Sequence, residues 1–251
     1  MTLPLTAPIR ATCAAALLAF PLAGPANAQE DLTEDRVREL VLETIRQNPQ
    51  IVMEAVAILE ARQSAEQAEQ SRNALSVQRE ALESVENAPV IGNPDGDVTI
   101  VEFFDYNCPY CRRATAEVNA LLEEDDDVRV VLREWPILSE GSVFAARAAL
   151  AAREQGLYEA FHNALMTMAG RAEEPTVMRV AEEVGLDTDQ LRADMDAPEV
   201  DAHIQQSLDL AQSIGFSGTP SFVIGEEMAP GFVERAALAE MVEAAREADG
   251  Q

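Results

Sequence analysis

Apolar residues fall at helical spacing in two short stretches near the beginning of the chain: Val37, Leu40, Val41 and Ile45, then Ile51, Val52, Ala55, Val56 and Leu59. Asp31, with Glu34 three positions later, marks the start of the first helix. Asn48-Pro49 separates the two, with Asn48 as cap and Pro49 in the first turn of the second helix, where its missing N–H costs nothing. From Ala61 to Asn87 the pattern stays helical but turns polar, and Leu75, Leu82 and Val85 are too few apolar points for a coiled coil. A helix whose apolar stripe lies near one end needs a partner. We expect the Val37 to Leu59 region to associate with copies of itself rather than pack on the rest of the chain, with the polar stretch as a stalk.

Ala88 to Asp97, carrying Pro89, Gly92, Pro94 and Gly96, has the turn chemistry of a linker. Beyond it, Val98, Thr99, Ile100, Val101, Phe103 and Phe104 form a β-prone run that stops at Asp105 to Asn107, and a helical segment follows from Arg112 to Leu122. Val128 to Leu132 reads as a second strand, ended by Trp135-Pro136. Five helical segments succeed it: Val143 to Arg153, Leu157 to Met168, Pro175 to Val184, Thr188 to Met195 and Val200 to Ile214. Pro220 to Ile224 returns to strand, a polar turn at Gly225-Glu226-Glu227 follows, and an amphipathic helix from Phe232 to Ala248 closes the chain. This order describes an α/β domain with a helical insertion.

Composition adds a compartment. Arg10 precedes an apolar run from Ala14 to Leu22 that is too short to span a bilayer, and Ala26-Asn27-Ala28 supplies a cleavage pattern. Residues 1–28 are therefore expected to be a secretory signal peptide, and 29–87 a helical oligomerisation segment. A linker at 88–96 and the α/β domain at 97–251 would complete the chain. Cys13 falls within the signal, so the mature chain carries only Cys108 and Cys111, in a compartment where disulfides persist. The net charge of −27, with no lysine anywhere, repels phosphate backbones and anionic lipid heads. Nucleic-acid binding and polybasic membrane attachment are excluded on that ground. The acidity itself reads as a solubility or salt-adapted composition.

The candidate chemistry lies in Cys108-Pro109-Tyr110-Cys111, placed where strand gives way to helix. Cys108 sits at the helix mouth with Cys111 one turn inside, on the same face and at a separation a disulfide allows. Unpaired N–H groups and the positive end of the helix dipole favour an anion there. Cys108 is thus the thiolate-prone sulfur, able to titrate far below the free value of about 8.5. A structural staple across so short a loop contributes only about 2 kcal/mol. A zinc site lacks a second ligand pair, since His162 and His203 stand on separate predicted helices. No metal and no cofactor is expected, and a redox dithiol accounts for spacing, position and compartment together.

Here the chain resembles the DsbA-like branch of the thioredoxin superfamily. The resemblance rests on Glu102-Phe103-Phe104 before Cys108-Pro109-Tyr110-Cys111, on Trp135-Pro136-Ile137-Leu138, and on Gly218-Thr219-Pro220. Asn48-Pro49-Gln50-Ile51-Val52 is similar to the N-terminal segment of ScsC-type periplasmic members, which implies an oligomerisation stalk, trimeric in some relatives. The implied fold is α/β and thioredoxin-like, with an inserted helical domain and an N-terminal helical stalk. The resemblance also implies roles. Cys108 would be the attacking sulfur, Cys111 the buried resolving sulfur, Pro109 and Tyr110 the dipeptide that sets redox poise, and Pro220 a cis-proline facing the disulfide. A cis bond would turn the Thr219 backbone toward the sulfurs, where it could pair with an extended client.

Glu102 lies six residues before Cys108, and in a strand covered on both faces its carboxyl group would be desolvated and its pKa raised, fitting it to relay the Cys111 proton. His162 is expected to be packed or half-exposed, His203 solvated, Met166 and Met168 core filling, and Trp135 a packing residue. The expected activity is periplasmic thiol-disulfide exchange with cysteine-containing exported proteins, as oxidase or isomerase, served by a DsbB- or DsbD-like membrane redox partner. An oligomeric holdase, or a copper-binding protein using the paired sulfurs, is the alternative.

Overall fold

The structure, a computed structural model, describes residues 33–84 and 86–249. The segment read as a signal peptide, with Cys13, lies outside them, as do Asp31 and Val85. The chain divides into two compact units, one up to Ile58 and one from Leu59 onward.

In the first unit, α1 (Glu34–Gln47) is capped by Thr33, whose side chain accepts the Arg36 N–H, and Glu34 and Asp35 complement the dipole in its first turn. It ends at Asn48, whose N–H and side-chain amide both donate to the Thr44 carbonyl. Asn48 therefore closes the first helix, while its backbone carbonyl accepts the Ile51 N–H and its side-chain oxygen accepts the Gln50 side-chain amide at the start of α2 (Gln50–Glu83). No residue of α1 is buried, and Val37, Leu40, Val41, Ile51, Val52 and Val56 are all exposed.

The second unit is built on a five-stranded sheet of order β1-β3-β2-β4-β5. The strands are β1 (Val90–Gly92), β2 (Val98–Phe104), β3 (Val128–Glu134), β4 (Ser221–Ile224) and β5 (Glu227–Pro230). Only the β2–β3 pair is parallel, joined through α3 (Pro109–Glu124). The helical insertion comprises α4 (Glu140–Ala151), α5 (Tyr158–Thr167), α6 (Glu174–Glu183), α7 (Thr188–Asp194) and α8 (Pro198–Ile214), and α9 (Arg235–Asp249) ends the chain. Alternation along β2 divides the core. Ile100 and Phe104 point to one face, with α3, α4 to α7 and α9, while Val101 and Phe103 point to the other, with Trp135, Leu210, Ile214 and Phe216.

Three features depart from expectation. The stretch read as a linker contains β1, which pairs antiparallel with β3, and Gly92 is required there because a Cβ would meet the Val128 carbonyl at 2.7 Å. The polar half of α2 is not bare stalk, since Leu75 and Leu82 are buried against Val101, Phe103 and Val131. Arg133, buried on β3, directs one guanidinium nitrogen at the Ala81, Leu82 and Ser84 carbonyls (2.6, 2.7 and 3.0 Å), groups that a helix C-terminus leaves unpaired. Finally, His203 is not solvated. It is fully buried, with Nδ1 2.6 Å from the Asn87 carbonyl and Nε2 accepting the Glu134 N–H. It shares the inward stripe of α8 with Val200, Ser207, Leu210 and Ile214, which outweighs its polar neighbours in sequence.

Candidate active site

The site assembles where β2 ends. Asp105, buried, accepts the Asn107 N–H on one oxygen (2.7 Å) and the Ile137 and Leu138 N–H groups on the other (2.9 and 3.0 Å). One carboxylate thereby forms the turn before the cysteines and anchors the Trp135 to Leu138 loop. Asn107 in turn donates to Ser139, Ser142 and the Ala172 carbonyl and accepts the Ala172 N–H, fixing the helical insertion to the same turn. Beneath it, Tyr106 and Tyr158 both donate to Glu134, and the Tyr106 hydroxyl also contacts His162 Nδ1 (3.1 Å). His162 is thus packed inside the protein. Met166 fills the same core, and Trp135 stacks edge-on against Phe103.

Cys108 is the N-cap of α3, with Pro109 following at the first helical position. Its Sγ accepts the Cys111 N–H at 3.4 Å and lies 3.3 Å from the Thr219 carbonyl oxygen. The Cys111 thiol beside it, with the Thr219 side chain and the Cys111 and Tyr110 N–H groups, draws the Cys108 thiol down to about 6 against the opposing effect of burial. Cys111, by contrast, is pushed up strongly, chiefly by burial and then by its bond to Cys108. Cys108 retains 4 % of its surface exposed and Cys111 none. Burial, with the Cys108 charge adding to it, raises Glu102 to about 8, and its Oε1 has no hydrogen-bond partner.

The Thr219–Pro220 peptide is cis. Pairing of β4 with β2, which sets Ser221 opposite Phe103, brings the Gly218 to Pro220 loop beside Cys108. Tyr110 stands 55 % exposed on the helix mouth. Cys108, Cys111, Glu102, Thr219 and Pro220 are thus brought to one end of the sheet, while Pro109 and Tyr110 form its outer edge. Asp105, Asn107 and Glu134 were not singled out from the sequence, although Asp-x-Asn after a strand is a legible turn signal. Among the described residues no group of three or more His, Cys, Asp or Glu converges as a metal site.

Comparison with known proteins agrees with this geometry. The DSBA-like thioredoxin domain matches residues 99–243, and the copper resistance protein ScsC N-terminal domain matches residues 34–66. A thioredoxin-like oxidoreductase from Silicibacter pomeroyi DSS-3 is 65 % identical, over 67 % of this chain and 98 % of that one, with a TM-score of 0.67. Proteus mirabilis ScsC in a transitional conformation is 30 % identical over 84 % of this chain and 96 % of that one, with a TM-score of 0.65. A Na(+)/H(+) antiporter NhaA from Herminiimonas arsenicoxydans is 31 % identical over 156 residues, 62 % of this chain, which spans about a quarter (25 %) of that relative's length. With more than half of its length matched and the paired cysteines at the mouth of α3, the chain belongs to the DSBA-like thioredoxin family and is of the ScsC type in its N-terminal segment.

Proposed function

We propose that the protein is a periplasmic thiol-disulfide oxidoreductase acting on cysteine pairs of exported proteins, with Cys108 as the attacked and attacking sulfur. One observation carries the reading: two cysteines one helical turn apart sit in different surroundings, the outer capping α3 and accepting the Cys111 N–H, which favours its thiolate, and the inner fully buried, which favours its thiol. In the oxidising direction a client thiolate attacks Cys108 Sγ, the Cys108–Cys111 bond breaks, and Cys111 leaves with the electron pair and takes a proton. Glu102, protonated below about pH 8, is the nearby donor. A second client thiolate then attacks the client sulfur of the mixed disulfide and expels Cys108, a good leaving group because its thiolate is stabilised. The client gains a disulfide and the protein keeps two thiols. In isomerisation the Cys108 thiolate opens a client disulfide, and a different client thiol releases it.

Thr219, with its carbonyl beside the sulfurs, supports pairing with an extended client backbone, and the exposed Tyr110 supports contact at the same mouth. The uncovered stripe from Val37 to Val56 supports self-association, the feature that favours isomerisation. A membrane partner of the DsbB or DsbD kind would restore the working redox state. The test is the rate of exchange with a peptide disulfide as a function of pH, together with the reduction potential of the pair. We expect the rate to rise through a midpoint near pH 6, and Cys108→Ser to abolish it. A midpoint at the ordinary thiol value, or turnover that survives the substitution, would refute the assignment. A potential near the oxidising end marks an oxidase, and one near the thioredoxin end an isomerase or reductase.

A further inference from the structure

Two adjacent arginines follow Cys111, and they are used differently. Arg112 spends its donors on the Tyr106 and Met168 carbonyls (3.1 and 2.9 Å). Arg113 is exposed, and among the described residues no carboxylate lies within ion-pair distance of it. Its guanidinium carbon instead sits 4.3 Å from the centre of the Phe232 ring and 5.9 Å from that of Tyr110. Phe232 is partly buried and packed on the core, so the stack holds Arg113 in place. A contact of the guanidinium with a ring consumes no N–H donor, so the N–H fork of Arg113 stays able to take a carboxylate in two parallel hydrogen bonds. The nearest acids by position are Glu117, already accepting the Arg235 N–H at 3.0 Å, and the exposed Glu234.

Location gives this fork its meaning. Arg113 is five residues beyond Cys108 on α3, about 7 Å along the axis, and it touches the same Tyr110 that lies between the two cysteines. The molecule as a whole carries −27, yet exposed charges farther than about 8 Å are largely screened at physiological salt, so most of that charge does not cancel the local effect of this cation. Because its aromatic neighbours restrain the side chain, little rotamer freedom is lost when it binds. We propose that Arg113 is a specificity residue for clients that carry a carboxylate within a few positions of the reacting cysteine, an inference that rests on the oxidoreductase reading.

The test uses the full reduced protein and three short peptides, each as its symmetric disulfide, identical except for Asp, Asn or Lys two positions from the cysteine. Cys108 thiolate attacks one peptide sulfur, the peptide disulfide breaks, and one peptide leaves as its thiolate, which is followed over time. Arg113→Glu should lower the ratio of Asp-probe to Lys-probe rates at least about threefold, the scale of an exposed ion pair. Arg235→Glu is the control, a reversal of equal charge beside Glu124 at the far end of α3, and should change the ratio less than about twofold. An unchanged ratio in Arg113→Glu, or equal shifts in both variants, would overturn the inference alone. No exchange of the wild-type protein even with the Asn probe would overturn the oxidoreductase reading and this inference with it.

Discussion

Glu102 lies in register with Leu132 on one neighbouring strand and Phe222 on the other, so its carboxyl group emerges between apolar side chains on a covered face. Folded, it keeps its proton to about pH 8, whereas unfolded it loses it near the ordinary carboxylate value of 4.5. Between those values the unfolded state binds fewer protons, so stability is complete below about pH 4.5 and falls as pH rises toward 8. Glu102→Gln removes this dependence. Relative to wild type, the reduced variant should gain about 4 kcal/mol between pH 4.5 and 8, read by urea unfolding at both values. A gap that does not change with pH would show that the carboxyl group ionises normally. The sequence placed Glu102 in a β-prone run, and its burial followed only on the condition that both faces of that strand be covered, which the packing of the sheet decides. Asp105 and Asn107 were harder to read, because a turn residue looks the same whether it holds only its own turn or two distant loops as well.

Among the elements, α2 shows how little local signal a tertiary contact needs. Leu75 and Leu82, seven apart in a polar helix, place one side chain every second turn against the sheet, too sparse to read as a core face. The contact is locked by Arg133, whose burial draws its pKa down to about 10 and whose donors satisfy the last carbonyls of the helix. Arg133→Met should cost about 3 kcal/mol, because the buried Leu82 carbonyl and the part-buried Ala81 and Ser84 carbonyls lose their partner. Hydrogen exchange should report it as faster exchange of the amides from Leu75 to Leu82. Unaltered protection there would mean that packing alone holds the helix end. The strand β1 escaped sequence reading for a different reason: at three residues it is defined by its partner β3 rather than by any pattern of its own.

For the whole molecule, the division after Ile58 separates described residues, 33–58, that bury no side chain from those that complete a core. A chain starting at Leu59 should therefore fold and run as a monomer by light scattering, while the longer chain that includes Val37 to Ile58 runs at a multiple of its mass. Equal subunit counts for the two would end the self-association reading. A chain starting at 88 should instead lose about 3 to 6 kcal/mol, since Leu75 and Leu82 each bury a full side chain. The segment expected to be an oligomerisation stalk is thus divided, among its described residues, by what its side chains touch.

The chain alone determined the strand-turn-helix around Cys108 and Cys111, the run of insertion helices and the closing amphipathic helix, because each follows from the spacing of apolar residues and from turn chemistry within a few positions. The site owes the rest to residues far apart in the chain. The Thr219 carbonyl beside Cys108, the His203 ring between Asn87 and Glu134, and the Arg133 guanidinium at the end of α2 are contacts across about 50 to 115 residues. No local pattern encodes them: burial and pairing set the charge of a thiol or an imidazole, and both exist only once the sheet has brought its neighbours together.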